Sequence, residues 1–164
     1  MINNINFKNV QLIVYDFDGV MTDNKALIFE DGSEAVIVNR GDGLGVKILS
    51  QLGYKQIILS TEKNKVVSTR AKKLKIDSFQ GIADKASVLR GICDENNVAL
   101  KNVIFVGNDI NDKKAMSMVG FPISPSDANE KIKGLSILTL KSKGGDGVIR
   151  ELAEMIMINN SKKG

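Results

Sequence analysis

Short apolar runs alternate with amphipathic stretches along this chain, the pattern of a βαβ sequence. Leu12-Ile13-Val14-Tyr15 is apolar without interruption and ends in Asp16, which predicts a strand buried on both faces of a parallel sheet. Ile57-Ile58-Leu59, running into Ser60-Thr61, and Val103-Ile104-Phe105-Val106, running into Gly107-Asn108-Asp109, repeat the pattern. Leu27-Ile28-Phe29 and Ala35-Val36-Ile37-Val38 flank Asp31-Gly32, a hairpin turn signal. A helix is expected over about 43–52, stopped by Gly53, and another from an Asn64 cap to about Leu74. Ala86, Leu89 and Cys93 fall at i, i+3 and i+7 of a third helix, with Ile92 beside them. A short helix over 113–118, short strands near 121–123 and 137–140, and a last helix over 147–158 follow, with a frayed tail from about 159 to 164.

The 164 residues fit one domain, 1–164, of α/β class: a mainly parallel sheet with helices on both faces and a small hairpin at about 24–40. No apolar stretch reaches the length of about 18 residues that a membrane span needs. Met1-Ile2-Asn3-Asn4-Ile5-Asn6 has neither a basic region nor an apolar run, so no signal peptide is expected and a cytoplasmic location is the simplest reading.

Composition narrows the chemistry. The chain has no histidine, which excludes Ser-His-Asp and Cys-His catalysis and His-ligated zinc. Cys93 is the one cysteine, so neither an internal disulfide nor a Cys-cluster metal site is available. An enzyme here must use carboxylates, Lys, Ser/Thr or a carboxylate-bound metal. The absence of Trp and the 5% aromatics argue against an aromatic stacking platform for single-stranded nucleic acid. The net charge of +4 reads as a lysine-rich solvated surface, or as a modest attraction for anionic substrates.

Three apolar strands thus end in polar clusters. Ligands of open parallel sheets bind beyond the carboxyl ends of strands, so the clusters form one site if these strands are neighbours. In Asp16-Phe17-Asp18-Gly19 two carboxylates can face one ligand, and stay ionised together only with a cation nearby. Oxygen ligands of this kind suit Mg²⁺. One such carboxylate can act as a nucleophile and the other as an acid and base. An Asp-Gly turn with a capping Asp is the plainer alternative. Ser60 is a phosphate-binding hydroxyl or a turn residue. Lys85, at a helix start where the dipole disfavours a cation, either meets an anion or is a surface lysine. Gly107-Asn108-Asp109-Ile110-Asn111-Asp112 is a metal-binding loop or a polar turn.

In this order, over 12–151, the four clusters resemble the haloacid dehalogenase (HAD) phosphatase superfamily. The resemblance implies a Rossmann-like HAD fold, with Asp16 as nucleophile, Asp18 as general acid/base, Ser60 at the second motif and Lys85 at the third. The fourth motif is 107–112, with metal contacts from Asp16, Asp18, Asn108 and Asp109, Asp112 in support, and Mg²⁺ as cofactor. Phosphate would sit near Gly19, Ser60 and Lys85. Only about 24 residues separate Asp18 from the first helix, so no cap domain is expected. This resembles the capless phosphatases of 3-deoxy-octulosonate (KDO) 8-phosphate and of nonulosonate 9-phosphates.

Asn39-Arg40-Gly41-Asp42-Gly43-Leu44-Gly45 resembles that subgroup's N-x-x-D-G-x-G segment. Lys143-Gly144-Gly145-Asp146-Gly147-Val148-Ile149-Arg150-Glu151 resembles its carboxyl-terminal signature. Asp42, Gly144, Gly145 and Arg150 are thereby supporting residues, and a homotetramer is implied in which neighbouring subunits help to close each site. Ser60-Thr61-Glu62, then Arg70 and Lys73, look most like the HAD domains of acylneuraminate cytidylyltransferases. Thr61, Glu62, Arg70 and Lys73 then join the substrate-binding set. KDO 8-phosphate phosphatases usually have Thr-Gly-Arg at 60–62 and Arg at Asp146, which favours a nonulosonate substrate. Asn108 stands where the family usually has Asp. The same Asn in cytidylyltransferase-linked domains suggests a second role, a non-catalytic module supporting assembly of a CMP-sugar synthetase. A phosphotransferase, or a phosphatase of another small ester, is the third reading.

Overall fold

The computed structural model describes residues 5–161. The first four residues, most of the Met1–Asn6 segment, and residues 162–164 of the expected tail lie outside it. Six strands form one sheet: β1 (Leu12–Tyr15), β4 (Lys55–Leu59), β5 (Asp77–Phe79), β6 (Val103–Val106), β7 (Phe121–Ser124) and β8 (Leu138–Thr139). Their order is β5-β4-β1-β6-β7-β8, and every pairing is parallel. A separate antiparallel hairpin joins β2 (Leu27–Ile28) to β3 (Glu34–Ala35), and a bridge between Thr22 and Val38 closes its base.

The helices are α1 (Arg40–Gln51), α2 (Val66–Leu74), α3 (Lys85–Glu95), α4 (Lys113–Met116), α5 (Glu130–Lys133) and α6 (Val148–Ser161). Parallel strands need covered faces. Ile13, Tyr15, Ile58, Ile104 and Val106 turn to one face and pack with Val46, Leu49, Val67, Ala71, Leu152 and Ile156 of α1, α2 and α6. Leu12, Val14, Ile57, Leu59, Val103 and Phe105 turn to the other and pack with Leu89, Ile92, Ala115 and Ile132 of α3, α4 and α5. All four residues of β1 and of β6 are buried.

Several expectations shift in position. α1 begins at Arg40, inside the span read as hairpin, because the Asn39 side chain accepts from Gly41 N and caps the helix. α6 continues to Ser161, so residues 159–161 are helical rather than frayed. They are tied down: Asn159 donates to the Ile5 carbonyl and Asn160 to the Tyr54 hydroxyl. β5 and the single-turn α5 escape the sequence pattern because neither has an apolar run. No helix among the described residues is long and apolar enough to cross a membrane.

Candidate active site

β1 lies between β4 and β6, with Leu12 level with Lys55 and Val103. The strand order therefore brings the ends of all three strands, and their polar clusters, together. Asp16 leaves the end of β1 buried, and its Oδ1 accepts from Phe17 N at 2.7 Å. Lys85, the first residue of α3, reaches under the loop, and its Nζ lies 2.7 Å from both Asp16 Oδ1 and Asp112 Oδ1. The lysine side chain is fully buried, which answers the alternative of a surface lysine. Asp112 is buried as well, and its Oδ2 accepts from Asn108 N at 3.0 Å and Asp109 N at 3.4 Å. One ammonium thus braces the β1 and β6 loops through two carboxylates. Burial and the neighbouring Asp112 push the Asp16 carboxyl up, against the pull of Lys85. Burial lowers Lys85, but Asp16 and Asp112 outweigh it and leave the ammonium raised.

Asp18 is half-buried at the mouth of the site. Burial raises its carboxyl, with Glu62 adding to the rise and a hydrogen bond from Thr22 opposing it. Thr22 Oγ1 donates to Asp18 Oδ1 at 3.3 Å and accepts from Gly19 N at 3.2 Å and Asn24 N at 3.1 Å, which fixes the turn. Sequence reasoning missed Thr22; its spacing four residues after Asp18 is the only signal it leaves. Gly19 has φ +81°, and a Cβ there would fall 1.9 Å from the Asn108 amide, so the turn needs glycine on both counts.

The Asn108 amide faces two acceptors, Asp16 Oδ2 and the Asp18 carbonyl oxygen. With its oxygen turned that way, three hard oxygens face one another, a donor set suited to a small divalent cation. Among the described residues no three acidic, His or Cys side chains gather as a metal cage. One ligand would be an amide and one a main-chain carbonyl. The part of Asp18 that faces Asn108 is this carbonyl and not its carboxylate. Asp109 is exposed and turns its Oδ1 to Ile110 N at 2.7 Å.

A cleft of about 380 Å³ opens here, lined by Asp16, Asp18, Asn24, Thr61, Asn108, Asp109, Ile110 and Asn111. A smaller one of about 220 Å³ shares Asp18 and Asn24 and adds Lys25, Glu34 and Glu62. Ser60 is buried at the end of β4, its Oγ accepting from Glu62 N at 3.1 Å. Arg70, Lys73, Asp42 and Arg150 lie elsewhere. Arg70 and Lys73 line a separate cleft of about 860 Å³ with Arg40, Lys47 and Lys75. Asp42 caps α6, its Oδ1 accepting from Ile149 N at 2.9 Å and Arg150 N at 3.1 Å. The Arg150 side chain pairs with Glu154. Gly144 and Gly145 press on the loop after β1: a Cβ on Gly144 would lie 2.2 Å from the Gly19 carbonyl oxygen, and Gly145 N donates to Val20 O at 3.0 Å. Asp127, unforeseen from sequence, holds Gly144 N at 2.9 Å.

Residues 45–152 match the family model of haloacid dehalogenase-like hydrolases. The 3-deoxy-D-manno-octulosonate 8-phosphate phosphatase of Escherichia coli is 26% identical over 156 residues, covering 94% of this chain and 83% of that protein. Among solved structures, a Streptomyces avermitilis protein described as a HAD family hydrolase is 41% identical with a TM-score of 0.91, over 96% of this chain and 90% of that one. The 3-deoxy-D-manno-octulosonate 8-phosphate phosphatase of Moraxella catarrhalis, solved with magnesium, phosphate and KDO, is 30% identical with a TM-score of 0.90, over 93% and 88% of the two chains. The parallel sheet without a cap domain, the carboxylates beyond β1 and these matches agree: the chain belongs to the haloacid dehalogenase-like hydrolases, in the group of the 3-deoxy-D-manno-octulosonate 8-phosphate phosphatases.

Proposed function

We propose that this protein is a Mg²⁺-dependent phosphatase of a 3-deoxy-2-keto sugar acid, working through an aspartyl-phosphate. The observation that carries the reading is the buried Asp16–Lys85–Asp112 arrangement at the floor of a cleft that also holds Asp18 and Asn108. Asp16 attacks phosphorus, and the ester bond to the sugar oxygen breaks. Asp18, whose proton affinity is raised, gives its proton to that oxygen and later takes one from the water that frees phosphate. Lys85 fixes Asp16 and contributes positive charge beneath the transferring group, while Ser60 and the Asp18 N–H offer donors to its oxygens. Asp16, the Asp18 carbonyl and Asn108 would hold Mg²⁺, the cation present in the Moraxella relative. A bound divalent cation supplies the positive charge that keeps Asp16 ionised and neutralises phosphate oxygens.

The smaller cleft supports a polyol leaving group: Glu62 Oε1 accepts from Lys63 N and Asn64 N, and its Oε2, with the Glu34 carboxylate, can accept from hydroxyls. Glu62, where KDO 8-phosphate phosphatases usually have Arg, favours a nine-carbon nonulosonate 9-phosphate of the sialic acid type. KDO 8-phosphate is the second reading, carried by the Escherichia coli and Moraxella relatives. A cytoplasmic homotetramer completes the proposal, supported by the exposed Leu27, Ile28, Phe29 and Ile37 of the hairpin. The alternative of a weakly active module assembling with a cytidylyltransferase rests on Asn108 together with Ser60-Thr61-Glu62.

The test is phosphate release from KDO 8-phosphate, ketodeoxynonulosonate 9-phosphate and N-acetylneuraminate 9-phosphate, with and without Mg²⁺. Mg²⁺-dependent turnover of a nine-carbon ester is expected. Preference for KDO 8-phosphate would keep the mechanism and move the substrate. No turnover of any would favour the assembly role, to be checked by co-purification with a cytidylyltransferase.

A further inference from the structure

Asn108 is buried with 9% of its surface exposed, and its main chain is held on both sides. Its N–H donates to Asp112 Oδ2 at 3.0 Å, and its carbonyl accepts from Asn129 N at 2.8 Å. Its amide lies against Gly19, with no room for even a Cβ between them. The remaining freedom is rotation about χ2, a torsion with broad, roughly two-fold preferences. A half-turn exchanges oxygen and nitrogen without moving any other heavy atom.

The two orientations suit two chemical states. With nitrogen turned inward, the amide donates to Asp16 Oδ2 at 3.2 Å and to the Asp18 carbonyl at 2.9 Å, so both acceptors are satisfied without a cation. With oxygen turned inward, the same position becomes a third oxygen ligand beside those two. An aspartate at 108 has no donor in its ionised form and would set a second carboxylate against Asp16.

We propose that Asn108 is a two-position latch: its amide nitrogen closes the empty metal site on Asp16 and the Asp18 carbonyl, and a half-turn of the amide opens it by presenting Oδ1 to a divalent cation. This rests on the metal-binding part of the proposed function but not on phosphatase activity. The latch stabilises the metal-free protein and weakens its hold on the cation, because binding must break two hydrogen bonds and gains one charge less.

The test uses the full chain without substrate, in EDTA and during titration with Mg²⁺. Three readouts apply: melting temperature, Mg²⁺ affinity by calorimetry, and the side-chain NH₂ resonances of Asn108, assigned by their loss in Asn108→Asp. The metal-free Asn108→Asp protein is expected to melt below the parent, yet to bind Mg²⁺ at least about tenfold more tightly through its added charge. Asn108→Ala is expected to lower both the metal-free melting temperature and the affinity. In the parent, Mg²⁺ should shift both NH₂ proton resonances. Unchanged NH₂ resonances at Mg²⁺ saturation, an Asn108→Asp variant equal to the parent in melting temperature and affinity, or no Mg²⁺ binding by the parent would each overturn the latch. Phosphate release enters none of these readouts, so failure of the phosphatase reading is scored separately.

Discussion

Two of the clefts among the described residues are built on opposite principles. The one above β1 is small, about 380 Å³, and stands on polar groups that are buried and cross-braced. Lys85 reaches Asp16 and Asp112 at 2.7 Å each, and Asp112 holds the backbone of the neighbouring loop. The other, between α1 and α2, is larger at about 860 Å³ and is lined by five cations, of which Arg40, Lys47, Lys73 and Lys75 are exposed. Size points to the second and chemistry to the first. Charges held at strand ends have a fixed geometry, and their burial makes each interaction strong and each vacancy costly. Long exposed side chains hold no such geometry, and their pairings are worth little.

This contrast can be broken by substitution. The largest expected effect is at Asp16. On the proposed mechanism Asp16→Asn lowers phosphate release at least about a thousandfold while the folded structure survives, as circular dichroism would report. Turnover near the parent rate would remove Asp16 from the chemistry. Next is Lys85→Met, which leaves the Asp16 and Asp112 carboxylates buried side by side without their cation. A loss of about 4 kcal/mol in urea unfolding is expected.

Asp42, whose charge acts on Arg70 of the basic cleft, sharpens the picture. Its Oδ2 is buried without a partner, and burial pushes its carboxyl up from 3.8 to about 6, against the hydrogen bonds from Arg150 N and Ile149 N. The folded protein therefore binds this proton more tightly than the unfolded chain does. The stability it contributes is present below about pH 4 and is lost as pH rises through about 6. Asn at this position keeps an acceptor for both N–H groups and carries no charge. Asp42→Asn should match the parent near pH 4 and exceed it by roughly 3 kcal/mol at neutral pH. A constant difference across that range would show that Asp42 does not titrate there. The smallest effect is expected in the basic cleft itself, where Lys47→Met should change unfolding by no more than about 0.5 kcal/mol. A loss comparable to that of Lys85→Met would erase the distinction between the clefts.

What could be read from the sequence follows the same division. β1 and β6 are legible because strands covered on both faces are apolar, and Leu12–Tyr15 and Val103–Val106 agree with expectation residue for residue. β4 is legible only over Ile57–Leu59, because it opens on exposed Lys55 and buried, polar Gln56. That Asp16, Lys85 and Asp112 meet was not legible from composition or spacing, since it depends on β1 lying between β4 and β6. Only the resemblance to a family implies it. Thr22 and Asp127 escaped because single hydrogen-bonding residues in loops leave no periodicity. That the Asp18 carbonyl, and not its carboxylate, faces Asn108 escaped for a deeper reason: a main-chain oxygen has no letter in the sequence. The helical residues 159–161 were misread because their anchors, Ile5 and Tyr54, are distant in the chain.

The most direct test of the account is to quench the enzyme during turnover of a sugar-acid phosphate with Mg²⁺ and map the phosphoryl group by mass spectrometry. The account predicts an acid-stable, hydroxylamine-sensitive phosphoryl group on Asp16, absent from Asp16→Asn and longer-lived in Asp18→Asn. Steady turnover with no phosphoryl group trapped in either the parent or Asp18→Asn, or with the group on another residue, would contradict it.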